Sequence, residues 1–285
     1  MRTNLRGGVG GKESVAAPAK PRLCSAPVSA LKSPKSRIRP WLLAANFGAP
    51  AVLLGTQFRF PWLNAAAVCV HAAFFYAIVA PGCGWLAPVA TRFTPRGQEV
   101  WLTIDDGPAG AASLQLSEEL VRRGVRATFF VKGENLARAP EVGRALLAAG
   151  HTLANHTQTH PAHLFWWLRP ARLQAEIDAC NEALRQAGVA ALRWFRSPVG
   201  LKNTFLQPTL RRRGMRFVGW SVRGHDAVAC DPVAVARRVG RDVAPGAIVL
   251  LHEGRPRSNE AILRVVDVLR ARGYSFVIPA DEQLI

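Results

Sequence analysis

Downstream of residue 98, short apolar runs alternate with longer stretches whose apolar positions recur at helical spacing. The runs 100–104, 127–131, 217–221, 247–251 and 274–278 read as strands, because Val, Ile, Phe and Trp concentrate in them. Helical patterns over 113–123, 134–149, 171–187, 204–213, 232–241 and 259–272 fill the intervals. Gly124, Gly150, Gly188, Gly214 and Gly273 follow directly on helical patterns, as left-handed C-terminal caps do. Strand, helix, glycine and strand recur without self-similar sequence. That rhythm predicts βα units on a parallel sheet, open or closed into a barrel.

The pattern upstream is different. Residues 41–58 carry no charge, and in residues 60–90 only His71 can ionise. Each run is long enough, or nearly so, to cross a bilayer core of about 30 Å. Trp41, Trp62 and Trp85 fall near the ends of these runs, where interfacial aromatics belong. Two transmembrane helices joined by a turn at residues 57–61 are expected, with a cleaved signal peptide as the alternative. Residues 1–40 show no hydrophobic periodicity and are rich in Gly, Ala, Pro, Ser, Lys and Arg. They read as a disordered basic tail, or as sequence upstream of a start nearer Trp41. The chain thus divides into a tail (1–40), a membrane segment (41–90) and a soluble α/β domain (91–285).

Charge modifies this division only slightly. Of the formal net charge of +18, residues 1–40 supply nine basic side chains and one acid, and residues 41–90 supply only Arg59. No nucleic-acid motif accompanies the excess, so it reads as solvated faces and attraction to an anionic membrane, with no nucleic-acid partner expected. The positive-inside rule would place the tail and Arg92 and Arg96 on the cytoplasmic side of a bacterial-type inner membrane, but the side stays open. Five cysteines form no CxxC pair, which indicates neither a zinc ribbon nor a disulfide framework.

Candidate chemistry collects at strand ends. Residues 103–108, Thr-Ile-Asp-Asp-Gly-Pro, put Asp105 and Asp106 at the close of a buried strand, and Gly-Pro turns the chain. His156 and His160 are spaced to share one side of a helical turn, so both imidazoles can reach one cation. Two His and one carboxylate leave open positions for water and substrate, and a second acid beside them supplies a base. Arg196, in Arg-Ser-Pro-Val-Gly (196–200), would keep a neighbouring carboxylate ionised. His252 ends the apolar strand 247–251 and could protonate a leaving group.

With these four stretches in this order, the chain resembles the polysaccharide deacetylase family, carbohydrate esterase family four, over about residues 98–282. The family patterns T-[FI]-D-D-G-P, H-[ST]-x-x-H, R-x-P-x-G and Leu-x-His are matched at 103–108, 156–160, 196–200 and 250–252. The resemblance implies a distorted (β/α) barrel with fewer than eight units, here preceded by the helical hairpin. It implies Asp106, His156 and His160 as ligands of a divalent ion, zinc first, with cobalt, nickel or manganese as alternatives. It also implies Asp105 as general base, Arg196 as its orienting partner and His252 as general acid. Leu250 would line the acetyl pocket with Trp220 and Pro198, and a backbone N–H near Ala109 would meet the oxyanion. The segment 219–226 departs from the family's pattern, and Asp226 is the candidate support for His252. Glu253 stands where Asp is common, which puts little in doubt.

The implied reaction is metal-dependent removal of an acetyl group from an N-acetylated sugar of a cell-envelope polysaccharide or lipid-linked glycan. The alternatives are a deformylase or other amidohydrolase acting on a membrane sugar lipid, and a non-catalytic glycan-binding membrane protein. His163 is near enough in sequence to line the cleft. Phe165-Trp166-Trp167 could stack on a sugar, cap the barrel or face the membrane.

Overall fold

The computed structural model describes residues 35–227 and 231–285, so most of the basic tail lies outside the described residues. Two helices come first, α1 (Arg39–Gly55) and α2 (Pro61–Val79), packed as a hairpin. Ala44, Ala45, Gly48, Ala49, Ala66 and Ala67 line the groove between them, and such small side chains let two helix backbones approach closely. Large apolar side chains, among them Phe47, Leu54, Trp62, Val68 and Phe75, point outward instead. Among the described residues only α2 is long and apolar enough to cross a membrane. The first helix is shorter, at 17 residues, and contains Pro50. The expected pair of spans is thus supported by one helix.

The remaining chain builds a curled parallel sheet wrapped by helices. Its strands are β1 (Glu99–Asp105), β2 (Thr128–Val131), β3 (Thr152–Asn155), β4 (Trp194–Phe195), β5 (Arg216–Phe217), β6 (Val222–Arg223) and β7 (Ala247–His252). Their order across the sheet is β5-β4-β3-β2-β1-β7-β6, and β8 (Ser275–Phe276) pairs beside the start of β1. Every named pair is parallel. Between β5 and the foot of β7 the incoming chain fills the seam, with Ala90 bridging Val218 and Arg92 bridging Ala247. This is a distorted (β/α) barrel of fewer than eight units.

Strand parity decides what each side chain meets. On β1, Val100, Leu102 and Ile104 face the helices, whereas Trp101 joins the barrel interior. The same alternation sends Val249 and Leu251 of β7 outward and Ile248 inward. Asp105 and His252 are register partners on adjacent strands, so parity delivers both to the inner rim. The barrel floor is aromatic. Trp101 and Trp194 meet edge-on at 4.8 Å, and their indole N–H groups donate to Thr128 Oγ1 and Asp281 Oδ1.

The helices are α3 (Ala111–Arg122), α4 (Gly133–Arg138), α5 (Pro140–Ala148), α6 (Pro170–Gln186), α7 (Leu206–Arg212), α8 (Pro232–Asp242) and α9 (Ser258–Ala271). The expected single helix over 134–149 is two, because Pro140 has no N–H to donate and opens a new first turn after extended Ala139. Of the strand expected at 217–221 only Phe217 is in strand, at the end of β5, and β6 begins just beyond the range. All five predicted cap glycines have positive φ, from 63° to 100°.

The hairpin is fastened to the domain at one place. Lys202 N–H donates to the Ile78 carbonyl, and its Nζ donates to the Ala80 and Pro81 carbonyls just past α2. Arg39 reaches the Thr204 carbonyl at 2.6 Å, and Trp166 and Leu201 pack against the Ala77–Ile78 end of α2.

Candidate active site

The sheet's C-terminal rim carries a cleft of about 610 Å³, lined by Asp105, Asp106, His156, His160, Trp220, Leu250 and His252 among others. Asp105 points inward by parity. Asp106 would point outward, but its φ of 75° turns the backbone and brings its carboxylate back to the same rim. Gly107 then passes over Glu253, where a β-carbon would sit 1.6 Å from Oε1. Glu253 is therefore more than a tolerated replacement. It is buried, it accepts the Ser113 hydroxyl, and burial pushes its carboxyl up to about 7. Ser113 Oγ in turn accepts the Ala109 N–H at 2.7 Å, so that amide, near which an oxyanion donor is expected from sequence, is engaged in this structure.

The two histidines converge without a helical turn. Residues 156–160 form a loop in which Thr157 and His160 have positive φ, at 68° and 54°. Buried side chains set that path: Asn155 Oδ1 accepts Thr157 N–H at 2.8 Å, and Glu176 accepts Thr159 N–H at 2.8 Å. Gly133 and Glu134 N–H groups donate to the Thr157 and Gln158 carbonyls. The expectation of a helical His pair is thus corrected to a braced loop.

The donor atoms of Asp106, His156 and His160 all lie within 4.8 Å of one another. His160 Nε2 is 3.5 Å and His156 Nε2 is 4.0 Å from Asp106 Oδ1. That oxygen is buried and has no hydrogen-bond partner among the described residues. His156 Nδ1 sits 2.9 Å from the Arg196 carbonyl, which can only accept, so Nδ1 is the donor there and Nε2 is the nitrogen turned to the cluster. Burial and the neighbouring His156 push the His160 pKa down to about 3, against the pull of Asp106, so this ring is neutral. Burial opposes the charge on Asp106, yet His156, His160, His252 and Lys132 hold its pKa below the usual carboxylate range. An orphaned anionic oxygen and two convergent imidazole nitrogens fit a divalent cation.

Asp105 sits beside this cluster, its Oδ2 3.6 Å from His156 Nε2, but it is held by an arginine. Arg196 Nη1 donates to its Oδ1 at 2.7 Å and to Thr103 Oγ1 at 2.8 Å. The remaining guanidinium contacts are the Val218 and Gly219 carbonyls and the Phe130 ring, 4.0 Å below. The fully buried arginine is thereby satisfied along its fork. Opposite, Asp226 Oδ1 lies 3.0 Å from His252 Nδ1, and Asp226 Oδ2 accepts the His252 N–H at 2.7 Å. Burial alone would lower the His252 pKa. The Asp226 hydrogen bond and the charges of Asp105, Asp226 and Asp106 outweigh it and raise the value.

Leu250 and Trp220 line the cleft as expected. Pro198 does not: it is buried, and exposed Val199, at φ 45°, takes its place on the wall. A β-branched residue held there is strained, a state that clusters at functional sites, and its N–H makes no hydrogen bond among the described residues. The strand-Arg-Ser-Pro-Val-Gly turn was its sequence signal. His163 is exposed and off the cleft, and buried His151 accepts the Ala127 N–H. Phe165 is core and Trp166 packs beside α2, whereas Trp167 is exposed. Arg223, His225, Arg238 and Arg255 line the cleft and carry no local spacing signal, because they come from different elements.

The polysaccharide deacetylase family profile matches residues 93–218. A chitooligosaccharide deacetylase of Bradyrhizobium sp. (strain ANU 289) is 36% identical over 189 residues, covering 64% of this chain and 84% of that protein. A family 4 carbohydrate esterase from Streptomyces lividans, solved with acetate, superposes with a TM-score of 0.61 at 30% identity, covering 67% of this chain and 98% of that one. A peptidoglycan N-acetylglucosamine deacetylase gives 0.62 at 27% identity, with 66% and 89% covered. A family 4 pseudoenzyme from Bacillus anthracis gives 0.60 at 26%, with 65% of each chain covered. A shared fold therefore does not decide catalysis, and the side chains on the rim must. By its matched motifs, its barrel and its relatives, the chain belongs to the polysaccharide deacetylase family, carbohydrate esterase family four.

Proposed function

We propose that the chain is a membrane-anchored, metal-dependent hydrolase that removes acetyl groups from an N-acetylated sugar of a cell-envelope glycan or lipid-linked precursor. Membership of the family carries the reaction type, cleavage of a sugar N-acetyl C–N bond. One observation carries the metal dependence: Asp106, His156 and His160 gather their donor atoms within 4.8 Å, while Arg196 holds the neighbouring Asp105 by its Oδ1. A divalent cation there, zinc first for a His-His-carboxylate set, would polarise the scissile carbonyl and acidify a water.

The chain's own residues do the rest. Asp105 takes a proton from the attacking water, and Arg196 fixes the carboxylate through Oδ1, leaving Oδ2 on the side of His156 Nε2. As the carbonyl oxygen gains charge, the Val199 N–H is the backbone donor left available on the wall. The C–N bond then breaks, and His252, kept as imidazolium by Asp226, delivers a proton to the departing nitrogen. Leu250 and Trp220 offer apolar surface for the acetyl methyl.

The anchor reading rests on α2 and on the position of the cleft. Exposed Leu164, Trp167 and Phe205 lie in loops next to the hairpin's fastening point. Gly200, next to Val199 of the cleft wall, lies against both Trp220 and Pro81 just past α2, which suits a substrate held at the bilayer surface. The test is acetate release from N-acetylglucosamine oligomers by the full chain. Chelation should abolish it and zinc should restore it. Turnover that survives complete removal of metal would overturn the reading.

A further inference from the structure

Deacetylation leaves one wall of the cleft unused. It is formed by Arg223 on β6, His225 in the following turn and Arg238 on α8, while Arg255 after β7 lines the same cleft beside Asp106. Arg223 Nε donates to His225 Nε2 at 3.0 Å, and Arg238 Nη1 donates to the Gly224 carbonyl at 2.5 Å. Among the described residues no carboxylate lies within ion-pair distance of Arg223 or Arg238. Arg255 Nη2 is 3.7 Å from Asp106 Oδ2, an acid whose charge a bound cation would offset. The acid on this wall, Asp231, caps α8 and gives Oδ1 to the Val233 N–H. Asp242, farther along α8, is paired with Arg241.

Donor chemistry narrows what such a wall can hold. Sugar hydroxyls both give and take hydrogen bonds, so a neutral glycan needs acceptors as well as donors. A guanidinium has five donors and no acceptor. Three of them, reached from separate elements, suit an anion that has several terminal oxygens and no proton to give. A planar carboxylate is filled by one fork, whereas a tetrahedral phosphate can use two or three. The concave, partly apolar wall also concentrates the positive field toward the cleft rather than into bulk solvent.

We infer that this wall is a phosphate subsite, and that the substrate is an N-acetylated sugar bearing a phosphate group. The inference rests on the deacetylase reading for the acetyl end of the same cleft. The phosphate could belong to a soluble sugar phosphate or to the diphosphate link of a lipid-borne sugar; both present the same oxygens to Arg223 and Arg238.

Metal-loaded full-length protein is assayed for acetate release at fixed ionic strength from three probes. They are N-acetylglucosamine 1-phosphate, polyprenyl-diphosphate-linked N-acetylglucosamine in phosphatidylcholine vesicles, and a neutral N-acetylglucosamine oligomer. A phosphorylated probe is expected to show the higher kcat/KM, and the better of the two identifies the source of the phosphate. In Arg223→Gln, and further in Arg223→Gln/Arg238→Gln, that preference should fall by about tenfold per guanidinium. Equal use of neutral and phosphorylated probes, or a preference that survives both variants, overturns the subsite. Calorimetric titration with N-acetylglucosamine 1-phosphate separates the two ideas. Binding that weakens in Arg223→Gln without acetate release from any probe sustains the subsite and sinks the deacetylase reading. Acetate release from the oligomer with equal phosphate binding by wild type and variant, as for phosphate seated on the metal alone, does the reverse.

Discussion

Asp105 and Asp106 are adjacent in the chain, yet only Asp105 is paired with the buried arginine, with His156 at its other oxygen, whereas Asp106 faces both imidazoles. Strand parity accounts for the first and a left-handed backbone for the second. Motif residues of this kind were legible in sequence because each closes a strand whose register is dictated by its apolar face. Three residues were not. Glu253 looked interchangeable with Asp, but its length lets it reach under Gly107 to Ser113. Val199 and Arg238 gain their meaning only from a turn and a neighbouring helix. The Asp226–His252 pair yields a pH prediction. A general acid works while protonated, so activity falls as pH rises through the His252 pKa. Asp226 raises that pKa against burial, so Asp226→Asn should lower it and move the alkaline limb to lower pH. The ratio of variant to wild-type kcat should therefore fall between pH 6 and pH 8; parallel profiles would contradict the pairing.

At the scale of elements, the βα order and the glycine caps were readable from periodicity alone. The brace under the histidine loop was not, because it joins residues distant in sequence. Gly133, at the start of α4, has no room for a side chain. A β-carbon there would lie 2.1 Å from Gln158 Oε1 and 2.7 Å from the Cys180 α-carbon on α6. Its N–H also holds the Thr157 carbonyl between the two histidines. Gly133→Val should cost about 1–3 kcal/mol by overpacking, and it should weaken metal binding as the loop is displaced. Denaturant melts together with zinc titration would check this; unchanged metal affinity would show that the loop does not depend on the brace. The helix expected over 134–149 also had a visible breaker, Pro140, which periodicity overrode.

For the whole molecule, the hairpin and the barrel meet where Lys202 closes the end of α2, on the segment that follows Arg196–Gly200. The hairpin and the third motif thus share one stretch of chain, which fixes the cleft relative to the hairpin. Composition revealed the apolar hairpin, but only contacts could reveal this attachment. Full-length protein should sediment with membranes and resist carbonate extraction, and a chain lacking residues 1–80 should be released. Extraction of the full chain by carbonate would contradict an integral anchor. A C-terminal reporter fusion then reads which side carries the barrel.

The division of labour between the paired carboxylates is tested most directly by measuring metal content and acetate release together in Asp105→Asn and Asp106→Asn. Asp105→Asn should retain about one divalent ion per chain and lose roughly 10²–10⁴-fold in kcat, the usual worth of a general base. Asp106→Asn should lose the ion and the activity together. Wild-type turnover in Asp105→Asn, or full metal content in Asp106→Asn, would contradict the assignment.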